Sequence, residues 1–116
     1  MAERERGTLR LQAGYYVVTG IWPLLSMRSF EAVSGPKTDR WLVRMVGLLA
    51  ATIGASIASG VAEEEISSET RVLAICSAAS FALIDVVYAW KGRISKIYLA
   101  DAAVELAFIV SLMRER

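Results

Sequence analysis

Four long apolar segments, separated by short polar loops, constrain this chain more than any other feature of its sequence. The strongest of them runs from Trp41 to Val61, a stretch of 21 residues whose one charged side chain is Arg44. About 20 mostly apolar residues in a helix span the hydrocarbon core of a bilayer. The pattern therefore predicts an all-α fold, an up-down four-helix transmembrane bundle. We expect residues 1–116 to form one domain, with spans at about residues 9–26, 41–61, 71–90 and 96–113.

The composition narrows the choice of partners. Of the 116 residues, 55% are hydrophobic, which is above the level of about 45–50% in typical soluble chains. We expect the lipid bilayer to be the main partner, in the inner membrane of a bacterial-type cell. The net charge of +1 gives no reason to expect nucleic acid as a partner. One cysteine, Cys76, and no histidine argue against zinc, haem and copper sites, so no metal or other cofactor is expected.

Positive charges do not determine how the four spans are oriented. If the spans alternate in direction, six of the 13 lysine and arginine residues fall on the side of the termini and the second loop, and seven fall on the other side. The positive-inside rule cannot separate six from seven. A homodimer, including an antiparallel one, and a larger membrane complex both stay open.

The first apolar segment has one polar helical face. Gln12, Tyr15, Tyr16 and Thr19 recur at intervals of three and four residues, which is the spacing of one side of a helix. Polar residues in membrane helices commonly form hydrogen bonds with neighbouring helices. We therefore expect this face to point at other helices rather than at lipid.

Local signals indicate where the helices begin and end. Pro23 removes a backbone donor and should kink or end the first helix. The spacing of apolar residues over residues 27–33 predicts a short interfacial helix in the first loop. Ser67 or Ser68 can cap the third long helix, because a serine hydroxyl accepts a bond from a free backbone N–H of the first turn.

Carboxylates inside the last two apolar segments mark the candidate site. Asp85 lies in the third segment, and Asp101 and Glu105 lie four residues apart in the fourth, on one helical face. Charged groups in spans are unfavourable and usually face a protein interior or a functional cavity. The same half of the bundle holds Arg44, which we expect to pair with one or two of the acids. The residues predicted to bind a ligand or an ion are Arg44, Asp85, Tyr88, Tyr98, Asp101 and Glu105; no catalytic or metal-binding residue is predicted.

Three kinds of function fit such a cluster, and we favour the first. The first is a small membrane protein that binds or transports a proton, a cation or a small molecule. The second is a structural or accessory subunit of a larger membrane complex, in which the charges hold the bundle together. The third is a membrane-embedded enzyme that uses a carboxylate pair as acid and base. The chain has no histidine to support that chemistry.

Six short runs also carry a resemblance that covers most of the chain. They are GYYVVTGIWPL at residues 14–24, SFEAV at 29–33, GPKTDRWLV at 35–43, DVVY at 85–88, GRI at 92–94 and YLxDA at 98–102. Together they resemble small four-span integral membrane proteins of bacteria. The resemblance implies a four-span bundle and no particular activity. Small multidrug transporters are similar in length and number of spans, but they depend on a glutamate in the first span, where this chain has Gln12.

Overall fold

Five α-helices make up the computed structural model, which describes residues 2–114. No strand occurs in this part of the chain, so the prediction of an all-α fold is confirmed for it. The helices are α1 (Ala2–Leu25), α2 (Met27–Ser34), α3 (Arg40–Val61), α4 (Ser68–Trp90) and α5 (Tyr98–Arg114).

The four long helices form two closely packed pairs. Helix α1 packs along α3, and α4 packs along α5; smaller contacts of α1 with α5 and of α3 with α4 join the pairs. Helix α2 lies against the end of α1, where Trp22 Nε1 donates to Ser29 Oγ at 2.8 Å and the Trp22 ring meets the edge of the Phe30 ring. The short helix predicted in the first loop is therefore present, and it covers one end of the bundle.

Two helix ends follow the sequence signals. The Ser67 hydroxyl accepts a hydrogen bond from the backbone N–H of Thr70 at 3.1 Å and caps α4. Helix α1 ends two residues after Pro23. The end of α2 is followed by Gly35, whose φ of +98° is open to glycine but disfavoured for other residues, and this turn carries the chain toward α3.

Helix α1 begins earlier than the apolar segment suggests. Its start at Ala2 brings the charged first turns into the helix, where Glu5 accepts two bonds from Arg71 at 2.7 and 3.0 Å. The Arg6 guanidinium donates to the backbone carbonyls of Val61, Glu63 and Glu64 at the end of α3. These bonds join the first turns of α1 to α3 and α4, because a cation is favourable at the C-terminus of α3 and a bidentate arginine–carboxylate pair has good geometry.

Glycines let the backbones of α1 and α3 touch. A Cβ atom on Gly20 or on Gly47 would collide with the carbonyl oxygen of the other residue. Further along the contact, a Cβ on Gly54 would lie 2.7 Å from the carbonyl oxygen of Ala13. Small residues permit this close approach of helices.

Two helices, α3 and α4, are long and apolar enough to cross a membrane. Only 22% and 28% of their apolar windows are buried inside the bundle, so most of their apolar side chains face outward. Large apolar side chains are also exposed on the other long helices. Exposed large apolar side chains on the four long helices include Leu11, Val18, Leu25, Trp41, Leu48, Leu83, Trp90, Val110 and Met113.

The α1–α3 contact gives a stability prediction. Gly47→Ala should lower the free energy of unfolding by about 1–3 kcal/mol, because the new methyl group overpacks a backbone contact. Gly14→Ala is the matched control, since nothing lies within 4 Å of its Cβ position and alanine is the better helix former by about 0.5–1 kcal/mol. Denaturant unfolding of the purified proteins measures both changes. Equal effects from the two substitutions would contradict the close contact.

Candidate functional site

A cavity of about 370 Å³ lies between the long helices at the end that α2 covers. All three predicted acids line it: Asp85 from α4, and Asp101 and Glu105 from α5. The wall also contains aromatic side chains and one lysine. These additional lining residues include Tyr16, Phe30, Lys37, Phe81 and Tyr98.

Tyrosines of α1 hold the two acids of α5. Tyr15 Oη donates to Asp101 Oδ1 at 2.5 Å, and Tyr16 Oη donates to Glu105 Oε1 at 2.6 Å. Gln12 Nε2 in turn donates to Tyr16 Oη at 3.1 Å and to the Ala74 carbonyl at 2.8 Å. The polar face of the first segment therefore points at other helices, as its spacing predicts. A hydrogen bond to a carboxyl group offsets part of the unfavourable burial of that group.

Asp85 differs from the other two acids because one of its oxygens lacks a donor. The residue is only 5% exposed, and its Oδ2 atom is buried without a hydrogen-bond partner. Buried polar atoms in native proteins are almost always hydrogen-bonded, so an unsatisfied one calls for an explanation. Gln12 Oε1 is the other buried side-chain atom without a partner in the described part of the chain, and of these two residues only Asp85 lines the cavity.

The charges of the cavity wall do not balance. Asp85, Asp101 and Glu105 contribute three carboxyl groups, while Lys37 is the one basic residue among the described residues that line the cavity. Charges in a low-dielectric interior need partners, because their interaction with water has been lost. The wall therefore favours an additional positive charge, supplied either by protons or by a bound cation.

Two of the predicted site residues lie elsewhere. Arg44 is exposed on α3, and within residues 2–114 it forms no ion pair with an acid of the cavity, so the predicted pairing is not present. The inward face of α3 passes through Val43 and Gly47, which turns Arg44 to the side. Tyr88 is 39% exposed, next to the buried Ala89, and the Lys91 ammonium lies 5.7 Å from its ring centroid. The remaining four predicted residues, Asp85, Tyr98, Asp101 and Glu105, share the cavity.

The sequence prediction missed several residues of the site, among them Tyr15, Tyr16 and Lys37. Tyr15 and Tyr16 were expected only to face other helices, although their spacing carried the signal that they share the polar face with Gln12. Lys37 lies in a loop without periodicity, so no pattern in the sequence pointed to it.

Comparisons of the chain with protein-family models, with curated proteins and with solved structures find no match. In the described part of the chain, no group of three or more histidine, cysteine, aspartate or glutamate side chains is arranged to hold a metal ion. The chemistry of the cavity is that of carboxyl groups, phenol hydroxyls and aromatic faces. Such a wall suits a positively charged molecule that also has apolar surface.

The tyrosine–carboxyl bonds give a second prediction. Tyr16→Phe should lower the free energy of unfolding by about 1–3 kcal/mol, because it removes the hydroxyl that donates to the buried Glu105 carboxyl and accepts one of the two bonds of Gln12 Nε2. Tyr88→Phe removes an exposed hydroxyl and should change stability by less than about 0.5 kcal/mol. Denaturant unfolding compares the two variants. A Tyr16→Phe protein as stable as the Tyr88→Phe protein would show that the Tyr16–Glu105 bond contributes little.

Proposed function

We propose that this chain is a small integral membrane protein with four spans, placed in a bacterial-type inner membrane, whose acid-lined cavity binds a small organic cation. The first support is the shape and surface of the bundle. Its longest extent is 43 Å, and the 22 residues of α3 correspond to about 33 Å of helix. Both lengths fit a bilayer with a hydrocarbon core of about 30 Å.

Helices α1 and α5 support the four-span proposal, because their charged side chains do not face outward along the apolar part of each helix. In α5, Glu105 is 1% exposed and Asp101 is half-buried, and both are bonded to α1. The outward face of α5 instead carries apolar residues such as Leu106 and Val110. Ionisable residues in membrane helices face the bundle interior, whereas the lipid-facing surface is apolar. In α1 the charged residues are confined to the first ten positions, and Leu11 and Val18 are exposed further along.

Membrane topology tests the four spans. In a Cys76→Ala background, single cysteines replace Glu3, Glu64, Lys96 and Arg114, and an impermeant maleimide is applied to cells and to inverted vesicles. We expect the cysteines at positions 3, 64 and 114 to be labelled from one side and the cysteine at position 96 from the other. If only α3 and α4 span the membrane, positions 3 and 114 will both be labelled from the same side as position 96.

The single observation that carries the binding proposal is the unsatisfied Oδ2 atom of Asp85. An ammonium group in the cavity would donate to the Asp85 carboxyl, after a rotation that turns Oδ2 toward the cavity, and would supply the positive charge that the three acids need. The volume of about 370 Å³ lies within the range of about 300–1,000 Å³ found for small-molecule pockets.

Aromatic residues in the wall define the rest of the ligand. Tyr16, Phe81 and Tyr98 line the cavity, and cations bind favourably over aromatic faces. The Tyr16 and Phe81 rings pack edge to face at a centroid distance of 5.3 Å, which fixes this part of the wall. We therefore propose a protonated amine attached to an aromatic or aliphatic group as the class of ligand.

Calorimetry of the purified protein with benzylammonium chloride tests this function. The wild-type protein should bind benzylammonium, and neutral benzyl alcohol should not bind. Asp85→Asn should weaken binding by about 30-fold or more, because loss of one member of a buried charge pair costs roughly 2 kcal/mol or more. Glu64→Gln is the matched control, since it also removes a carboxylate but lies in the exposed loop between α3 and α4. It should bind as the wild type does.

Two results would count against the binding function. Equal affinities of the Asp85→Asn and Glu64→Gln proteins would show that the cavity is not the binding site. A lack of binding by the wild type, together with purification in a fixed ratio with other membrane proteins, would favour the alternative of an accessory subunit.

A further inference from the structure

Lys37 holds an unusual position at the acidic cavity. Its ammonium donates to the backbone carbonyls of Ser34 at 3.0 Å and Gly35 at 2.9 Å. The same nitrogen lies over two aromatic rings, 5.8 Å from the centroid of Phe30 and 5.1 Å from that of Tyr98. Phe30, Tyr98 and Lys37 all line the cavity. The ammonium is therefore held by carbonyl dipoles and ring faces at the edge of a group of acids.

Within residues 2–114, no ion pair joins Lys37 to a carboxylate. This is notable because Asp85, Asp101 and Glu105 line the same cavity and attract any positive charge near them. A lysine side chain is a flexible stem of four carbons with a compact charge at its tip. Two sets of partners are therefore open to the ammonium. One is the carbonyls and rings at the edge of the cavity, and the other is the carboxylates inside it.

The backbone around Lys37 is held in place, so only its side chain can move between the two sets of partners. The backbone N–H of Lys37 donates to Glu31 Oε2 at 2.7 Å, and Arg40 Nη2 lies 2.9 Å from Glu31 Oε1. The bond from the Lys37 N–H, supported by Arg40, holds the pKa of the Glu31 carboxyl below its ordinary value and keeps it ionised at neutral pH. This anchor fixes the backbone of Lys37, so the position of the ammonium depends on the side-chain torsions alone.

We propose, building on the cation-binding function above, that Lys37 is a tethered cation that competes with the ligand for the carboxylates of the cavity. In the free protein its ammonium moves between the carbonyl–aromatic position and the acids. A bound amine pairs with the acids, and Lys37 is then confined to the carbonyl–aromatic position. Lys37 in this way sets the affinity of the site, because only the fraction of molecules with unoccupied carboxylates can bind.

Titration of benzylammonium into Lys37→Gln tests the competition. Glutamine keeps a donor for the carbonyls of Ser34 and Gly35 but removes the charge, so the dissociation constant should fall by about twofold, as expected for an ammonium that divides its time equally between the two positions. Lys91→Gln is the matched control, because Lys91 also lies over a tyrosine ring but does not line the cavity. Its affinity should equal that of the wild type.

A measurement on wild-type side chains does not depend on the folding of any charge variant. Reductive ¹³C-methylation of the lysines gives one NMR signal for each, with the Lys37 signal assigned by its loss in Lys37→Arg. Benzylammonium should shift the Lys37 signal and leave the Lys91 signal in place.

The outcomes separate the two proposals. If the wild type binds benzylammonium and Asp85→Asn does not, but Lys37→Gln binds no more tightly than the wild type, the tethered competitor is overturned while the binding function stands. A Lys37 signal that does not move on saturation has the same meaning. If neither the wild type nor Lys37→Gln binds the amine, the binding function itself fails.

Discussion

The backbone contact between α1 and α3 is the constraint on which the rest of the structure depends. Because Gly20, Gly47 and Gly54 carry no side chains, α1 lies close against α3, and its polar face is brought toward α5. A wider separation would move Tyr15 and Tyr16 away from the acids that they bond. The packing of small residues on one side of α1 thus determines the hydrogen bonds formed on its other side.

The acids that look equivalent in the sequence are placed in different surroundings. Asp101 and Glu105 receive hydroxyl donors from α1, whereas Asp85 keeps one buried oxygen without a donor. A bundle that only needed to neutralise its charges would be better served by a donor for each of them. In the proposed function, the hydrogen bonds of Asp101 and Glu105 hold the cavity together, Asp85 is the acid that meets the ligand, and Lys37 at the edge is the internal positive charge.

The features that could be predicted from the sequence are those that depend on the spacing of residues along one helix. The features that could not be predicted depend on how residues far apart in the sequence are arranged in space. The all-helical fold and the common face of Asp101 and Glu105 follow from spacing along one helix. The position of Arg44 depends on a rotation of about 100° per residue, so that one step beyond Val43 turned it out of the bundle. Lys37 was missed because a loop conformation, set here by Gly35 and Glu31, places it at the cavity.

The side-chain bonds of α1 at the end of the bundle opposite the cavity can form only in a certain order while the chain is synthesised. The acceptors of Arg6 lie at the end of α3, so this contact becomes available before α4 has been made. The pair of Glu5 with Arg71 closes a separation of 66 residues and must wait for α4. The bonds of Tyr15 and Tyr16 to α5 come later still. Helix α1 therefore gains bonds first to α3, then to α4 and last to α5. The cavity is the last part of the protein to be completed.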